Sequence, residues 1–131
     1  MNEPTFHLVA AAPTPVSPYS HAVEADGWVY VTGQLPTNVH DGSIPDGIEA
    51  QTTTVLDNLA TVLGGIGLSL EHAVFARVYL THFQSDFARM NTVYETYFPS
   101  GRRPGRTCVG VTDLALGVRV EIDLVARRSH L

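Results

Sequence analysis

Hydrophobic and polar positions change period several times along this chain, and each change predicts an element. In residues 27–33, GWVYVTG, Trp28, Tyr30 and Thr32 alternate against Val29 and Val31, a strand pattern bounded by glycines. A loop rich in Gly, Asp and Pro follows at 38–47. Ile48, Val55, Leu56, Leu59, Val62, Leu63 and Ile66 then fall on one helical stripe, which Gly64-Gly65 closes. Thr52–Thr54 is a poor helix-forming run, so this helix rests on periodicity rather than on propensity. The segment 73–80, AVFARVYL, returns to a period of two. A second helix is predicted from a Ser85 N-cap, with Phe87, Met90, Tyr94, Tyr97 and Phe98 at helical spacing. Strands are expected at 106–111 and 118–127. In the latter, Val118, Val120, Ile122, Leu124 and Ala126 line one face, and Arg119, Glu121 and Asp123 the other. The order predicts an α+β fold with both helices on one sheet face, in one domain without linker or repeat.

Composition narrows the chemistry. The chain has 131 residues, a net charge of −5 and no lysine, so all eight of its Lys/Arg cations are arginines. Net acidity argues against nucleic-acid binding. Without lysine there is no Schiff-base residue and no GK[ST] phosphate loop. A single cysteine excludes an internal disulfide, and six scattered histidines show no metal-ligand spacing, so no metal is expected. No apolar run approaches the length of a membrane span, and the N-terminal segment lacks the features of a signal peptide; a cytoplasmic protein is expected. Charged residues make up only 16%, a low share that suits surface hidden in an oligomer.

Three of the arginines crowd into RRPGR at 102–106. Arg106 follows a Pro-Gly corner and opens a strand, so the backbone would aim its planar fork, which matches a carboxylate. The plain alternative is a surface arginine, and Arg102 and Arg103 are read that way. Glu121 is either part of a solvent-facing charged stripe or a carboxylate facing a cleft, able to orient water. Gly33, just after a strand, could let backbone approach a ligand or simply make a turn. Tyr19 reads as a loop aromatic, Asn91 as a helix packing amide and Cys108 as a small, partly buried hydrophobe. If the loop 112–117 reversed the chain, a hairpin would bring Arg106 and Glu121 close. Spacing alone does not establish that pairing.

SPYSHAV, VYVTGQLP, QTTTVLDNLATVL, DFARMNTVYETYF, PGRTCVGV and VEIDLVA occur in series from about Pro13 to Ala126. Together they resemble the RidA (YjgF/YER057c/UK114) family of reactive-intermediate deaminases. The resemblance implies a chorismate-mutase-like fold and a homotrimer with ligand clefts between subunits. It also implies cofactor-free hydrolysis of 2-imino acids, or their 2-aminoacrylate-type enamines, to 2-keto acids and ammonia. The family's motif arginine maps onto Arg106 and its glutamate onto Glu121. Tyr19, Gly33 and Asn91 match its substrate-binding positions, and Cys108 a cysteine whose backbone faces the reacting water. The usual PAR is PGR here, the usual SGQ is TGQ, a common glutamine is His21, and LP is Leu114-Ala115. The 99–105 loop is also shorter, and these departures bear on substrate identity. Two other readings are a non-catalytic trimer that binds small carboxylates and a ribonuclease or translation inhibitor.

Overall fold

Strict alternation in the C-terminal strand organises the molecule. In the computed structural model, which describes residues 3–129, Val120, Ile122, Leu124 and Ala126 point inward and are buried, while Glu121, Asp123 and Val125 point to the opposite face. The strands are β1 (Thr5–His7), β2 (Ala22–Ala25), β3 (Trp28–Gln34), β4 (Ala73–Leu80), β5 (Gly105–Gly110) and β6 (Val120–Arg127). The helices are α1 (Ile48–Gly64) and α2 (Phe83–Tyr94). One six-stranded sheet runs β1-β2-β3-β6-β4-β5, antiparallel except for the β4–β5 pair. The parallel pair follows from α2, which returns the chain across the sheet before β5 begins.

Both helices lie on one face. Ile48, Val55, Leu56, Leu59, Val62 and Leu63 of α1 are buried with Met90 and Tyr94 of α2 against Val29, Val31, Ala76, Val78 and Leu80. Each such side chain contributes about 1.5–3 kcal/mol by leaving water. Ion pairs tie the helices to each other and to the sheet. Arg89 on α2 bonds both oxygens of Glu49 on α1 (2.8 and 3.0 Å). Arg119 bonds both oxygens of the fully buried Asp86 (2.7 and 3.0 Å), and its backbone N–H donates to Gln51. Burial would raise the Asp86 pKa, but the Arg119 hydrogen bonds and charge more than offset it, leaving the group below its ordinary value.

No helix covers the other face, which exposes Phe6, Trp28, Tyr30, Phe75 and Val109. Among the described residues, no helix is long and apolar enough to cross a membrane. His130 lies outside the described residues.

Several sequence expectations shift. β1 and β2 were not anticipated, because three- and four-residue strands carry too little alternation to register. Helix α2 begins at Phe83, so Ser85 lies inside it and bonds back to the His82 carbonyl rather than capping it. Tyr97 and Phe98 lie beyond its end, in a turn. β6 begins at Val120, and Arg119 turns toward Asp86 instead of joining the Glu121 face.

Candidate functional site

The predicted site residues fall into two groups. β5 pairs Arg106 with Ala76 and Cys108 with Val78, both inward-facing, so these two side chains share the helix face. There the Arg106 guanidinium lies 4.7 Å from the Tyr94 ring centre and 5.9 Å from that of Phe87, within the range of cation–π attraction. Phe87, Asn91 and Tyr94 are spaced i, i+4, i+7 along α2 and so share one side of the helix. Arg106, Asn91, Tyr94, Glu95, Arg103 and Pro104 line an open cleft of about 310 Å³. Arg106 makes no ion pair or hydrogen bond among the described residues. A half-buried guanidinium held by aromatic rings and lacking a carboxylate is suited to an external anion. Burial pushes the Cys108 thiol above its ordinary pKa, partly countered by Arg106, so Cys108 is a poor nucleophile there.

Gly105, the residue that makes PGR of the usual PAR, has a local reason. A Cβ there would come 3.1 Å from the Phe75 ring, which packs across the β4–β5 pair.

The second group lies on the uncovered face. Between Val31 and Gln34, β3 carries one residue more than β6, a bulge that contains Gly33. The Glu121 carboxylate packs directly on the bare α-carbon of Gly33; a Cβ there would sit 2.9 Å from Glu121 Cδ. Glu121 is half-buried and has no hydrogen-bond partner among the described residues. Burial raises its pKa above the ordinary value, and the Asp123 charge adds to the rise. Tyr19 shares a narrow crevice with Gly33, Pro13, Val16 and His21, with room for about one water. Its Oη accepts a 3.3 Å bond from the Val16 N–H. Buried His21 fastens this segment: Nδ1 accepts from the Val9 N–H (2.9 Å) and Nε2 donates to the Pro13 carbonyl (2.7 Å).

The two groups do not meet within one chain. The β5–β6 hairpin that would have brought them close does not form; β4 lies between those strands, and Arg106 and Glu121 project from opposite faces. The loop 112–117 crosses over rather than reversing the chain next to itself. Arg103, read from the sequence as a surface arginine, is exposed yet lines the Arg106 cleft, and the aromatic bracket of Phe87 and Tyr94 goes unread in the sequence. The i, i+4, i+7 spacing with Asn91 was the available signal. Arg102 borders a separate, more apolar hollow of about 370 Å³ between α1 and the turn after α2, away from all six predicted residues. Among the described residues, no three His, Cys, Asp or Glu side chains cluster as metal ligands would.

The sheet with two helices on one face, an unpartnered arginine at its edge and a glutamate on its bare face define a class of small α+β proteins with a divided polar site. The chain belongs to the RidA (YjgF) family: the sequence model described as Endoribonuclease L-PSP matches residues 9–128. It is 37% identical over 116 residues to a RutC family protein of Aquifex aeolicus (strain VF5), covering 88% of this chain and 92% of that one. It is 32% identical over 119 residues to the 2-iminobutanoate/2-iminopropanoate deaminase of Escherichia coli (strain K12), covering 89% and 92%. The crystal structure of E. coli TdcF with bound serine superposes with a TM-score of 0.87 at 31% identity, covering 94% of this chain and 99% of that one.

Proposed function

We propose that this protein hydrolyses 2-imino acids, and the enamines that tautomerise to them, to 2-keto acids and ammonia without a cofactor. The observation that carries this reading is Arg106: a half-buried guanidinium, bracketed by two aromatic rings, with no carboxylate among the described residues to neutralise it. The kinship with a deaminase of 2-iminobutanoate and the serine bound by TdcF support a small carboxylate as the ligand.

In this reading Arg106 grips the substrate carboxylate through two charge-assisted bonds, with Asn91 beside it. Glu121 orients a water and takes its proton as the oxygen adds to the imine carbon. That proton passes to nitrogen to give the carbinolamine; its hydroxyl proton then follows to nitrogen by way of Glu121 as the carbonyl forms and the C–N bond breaks, so ammonia leaves and the keto acid remains. An enamine first takes a proton at its terminal carbon to become the imine. Imines hydrolyse unaided in water, so orientation plus a general base, typically ~10²–10⁴-fold, is sufficient acceleration. The absence of lysine is no obstacle, since no covalent adduct is needed.

Because Arg106 and Glu121 point away from each other in one chain, this mechanism needs a second copy. The uncovered apolar sheet face supports a cyclic homotrimer in which the β5 edge of one subunit faces Gly33 and Glu121 of the next. The ribonuclease activity in the family's description finds less support in a chain of net charge −5.

The test is a coupled assay in which a dehydratase generates 2-aminoacrylate or 2-aminocrotonate and keto-acid release is followed. Acceleration by the wild type, lost in Arg106→Ala and Glu121→Ala, is expected. Binding of a keto acid with no acceleration of either imine would favour the non-catalytic carboxylate binder.

A further inference from the structure

The Arg106 cleft contains a second guanidinium. Arg103 lines it from the other side of Pro104, and its Nε donates to the Phe98 carbonyl (3.1 Å). That bond fixes the base of the fork and leaves both terminal nitrogens without a partner among the described residues. Among the described residues no carboxylate pairs with either Arg103 or Arg106. Glu95, the acidic residue of the cleft, is solvent-exposed and bonds neither arginine, so the lining holds two cations and one anion. Tyr94 lies under Arg106 and lines the same cleft as Arg103: burial raises its hydroxyl pKa, and the charges of Arg106 and Arg103 both pull it back. Three residues separate the two α-carbons by at most about 10 Å. Side chains converging from that span can hold the two ends of a four- or five-carbon chain.

We infer that the cleft takes a 2-imino dicarboxylate, with Arg106 on the carboxylate next to the imine carbon and Arg103 on the distal one. This rests on the imine-hydrolase reading and adds its substrate class. Arg103 is itself exposed, so a monocarboxylate with an alkyl tail would leave its fork to solvent and gain nothing from it. A dicarboxylate satisfies both forks, and a planar guanidinium fits a carboxylate at each end.

The experiment pairs turnover with binding. Imines are generated in situ by amino-acid oxidases from aspartate or glutamate and from 2-aminobutanoate; binding of 2-oxoglutarate and 2-oxobutanoate is measured by calorimetry. Wild type, Arg103→Gln and Arg102→Gln are compared, the last removing the same charge outside the cleft. Arg103→Gln is expected to weaken 2-oxoglutarate binding and dicarboxylate turnover by about 10- to 100-fold. It should change the monocarboxylate values by less than about 3-fold, with Arg102→Gln close to wild type. Equal wild-type affinity for the two keto acids, or equal losses in both arginine variants, would overturn the inference and leave imine hydrolysis standing. An Arg103-dependent preference for 2-oxoglutarate with no imine turned over would support the second anion site and overturn the hydrolase reading instead.

Discussion

Glu121 lays its carboxylate on the bare α-carbon of Gly33, at a bulge where β3 gains one residue on β6. The contact explains why glycine stands at this position without a positive φ: its use is close approach, not backbone freedom. Gly33→Ala should push the carboxylate aside. The far end of a flexible side chain moves cheaply, so we expect a loss of less than about 1 kcal/mol in urea denaturation. A displacement on the order of 1 Å would lower imine turnover by about 10²-fold. A variant with wild-type turnover would show that the seating of this carboxylate is irrelevant to the reaction.

Glu121 also predicts a pH dependence of stability. Its folded pKa is raised above the ordinary 4.5 by burial and by Asp123, so the folded state holds the proton more tightly than the unfolded chain. The favourable contribution is therefore complete below the unfolded pKa and is lost as pH rises through the folded one. Glu121→Gln removes this titration. The variant should gain stability relative to wild type between pH 4.5 and 7.5, read as urea midpoints across that range. A gap that widens toward acid instead would contradict the assignment.

The division of Arg106 and Glu121 between opposite faces predicts complementation between inactive variants. Subunits carrying Arg106→Ala and Glu121→Ala, refolded together at equal amounts, form clefts at random. About one in four would receive the intact arginine from one copy and the intact glutamate from its neighbour. Activity near a quarter of wild type is expected from the mixture and close to none from either parent. A mixture as inactive as its parents would place both groups in the same subunit's site, against the strand order seen here.

His21 holds the segment that carries Tyr19. Removing the ring leaves the Val9 N–H and the Pro13 carbonyl without their partners, so His21→Ala should cost about 2–4 kcal/mol. Glutamine, the residue common at this position in the family, has one acceptor and one donor group to offer. His21→Gln should therefore cost only about 1 kcal/mol by the same denaturation measurement. Equal losses would indicate that ring packing, not hydrogen bonding, fastens the segment.

Much of the fold was legible because its signals are local. β4 occupies the residues that alternation assigns to it, β5 is offset by one, and α1 carries its buried stripe at the predicted positions despite the Thr52–Thr54 run, except that Ile66 lies beyond its end in a turn. Packing overrides weak propensity in the threonine run. The start of α2 is misplaced by three residues and that of β6 by two, where the chain leaves one element for another and neither periodicity is yet established. Arg103 is exposed, as its neighbours in sequence suggest, but its bond to the Phe98 carbonyl in the turn after α2 is a contact that spacing does not show.

Within each strand and helix, which side chains share a face is legible from periods of two and 3.6 residues along the chain, and fails only at an element's end, as at Arg119. The sequence by itself also determined the chemical inventory: arginine without lysine, one thiol and a net acidic charge. Only the tertiary structure decided that β4 separates β5 from β6, and hence that Arg106 and Glu121 leave opposite sides of the sheet. Alternation states that a strand has two faces, but not which strand lies beside it. Strand order is settled by where α1 and α2 carry the chain and by the core they bury together against one side of the sheet.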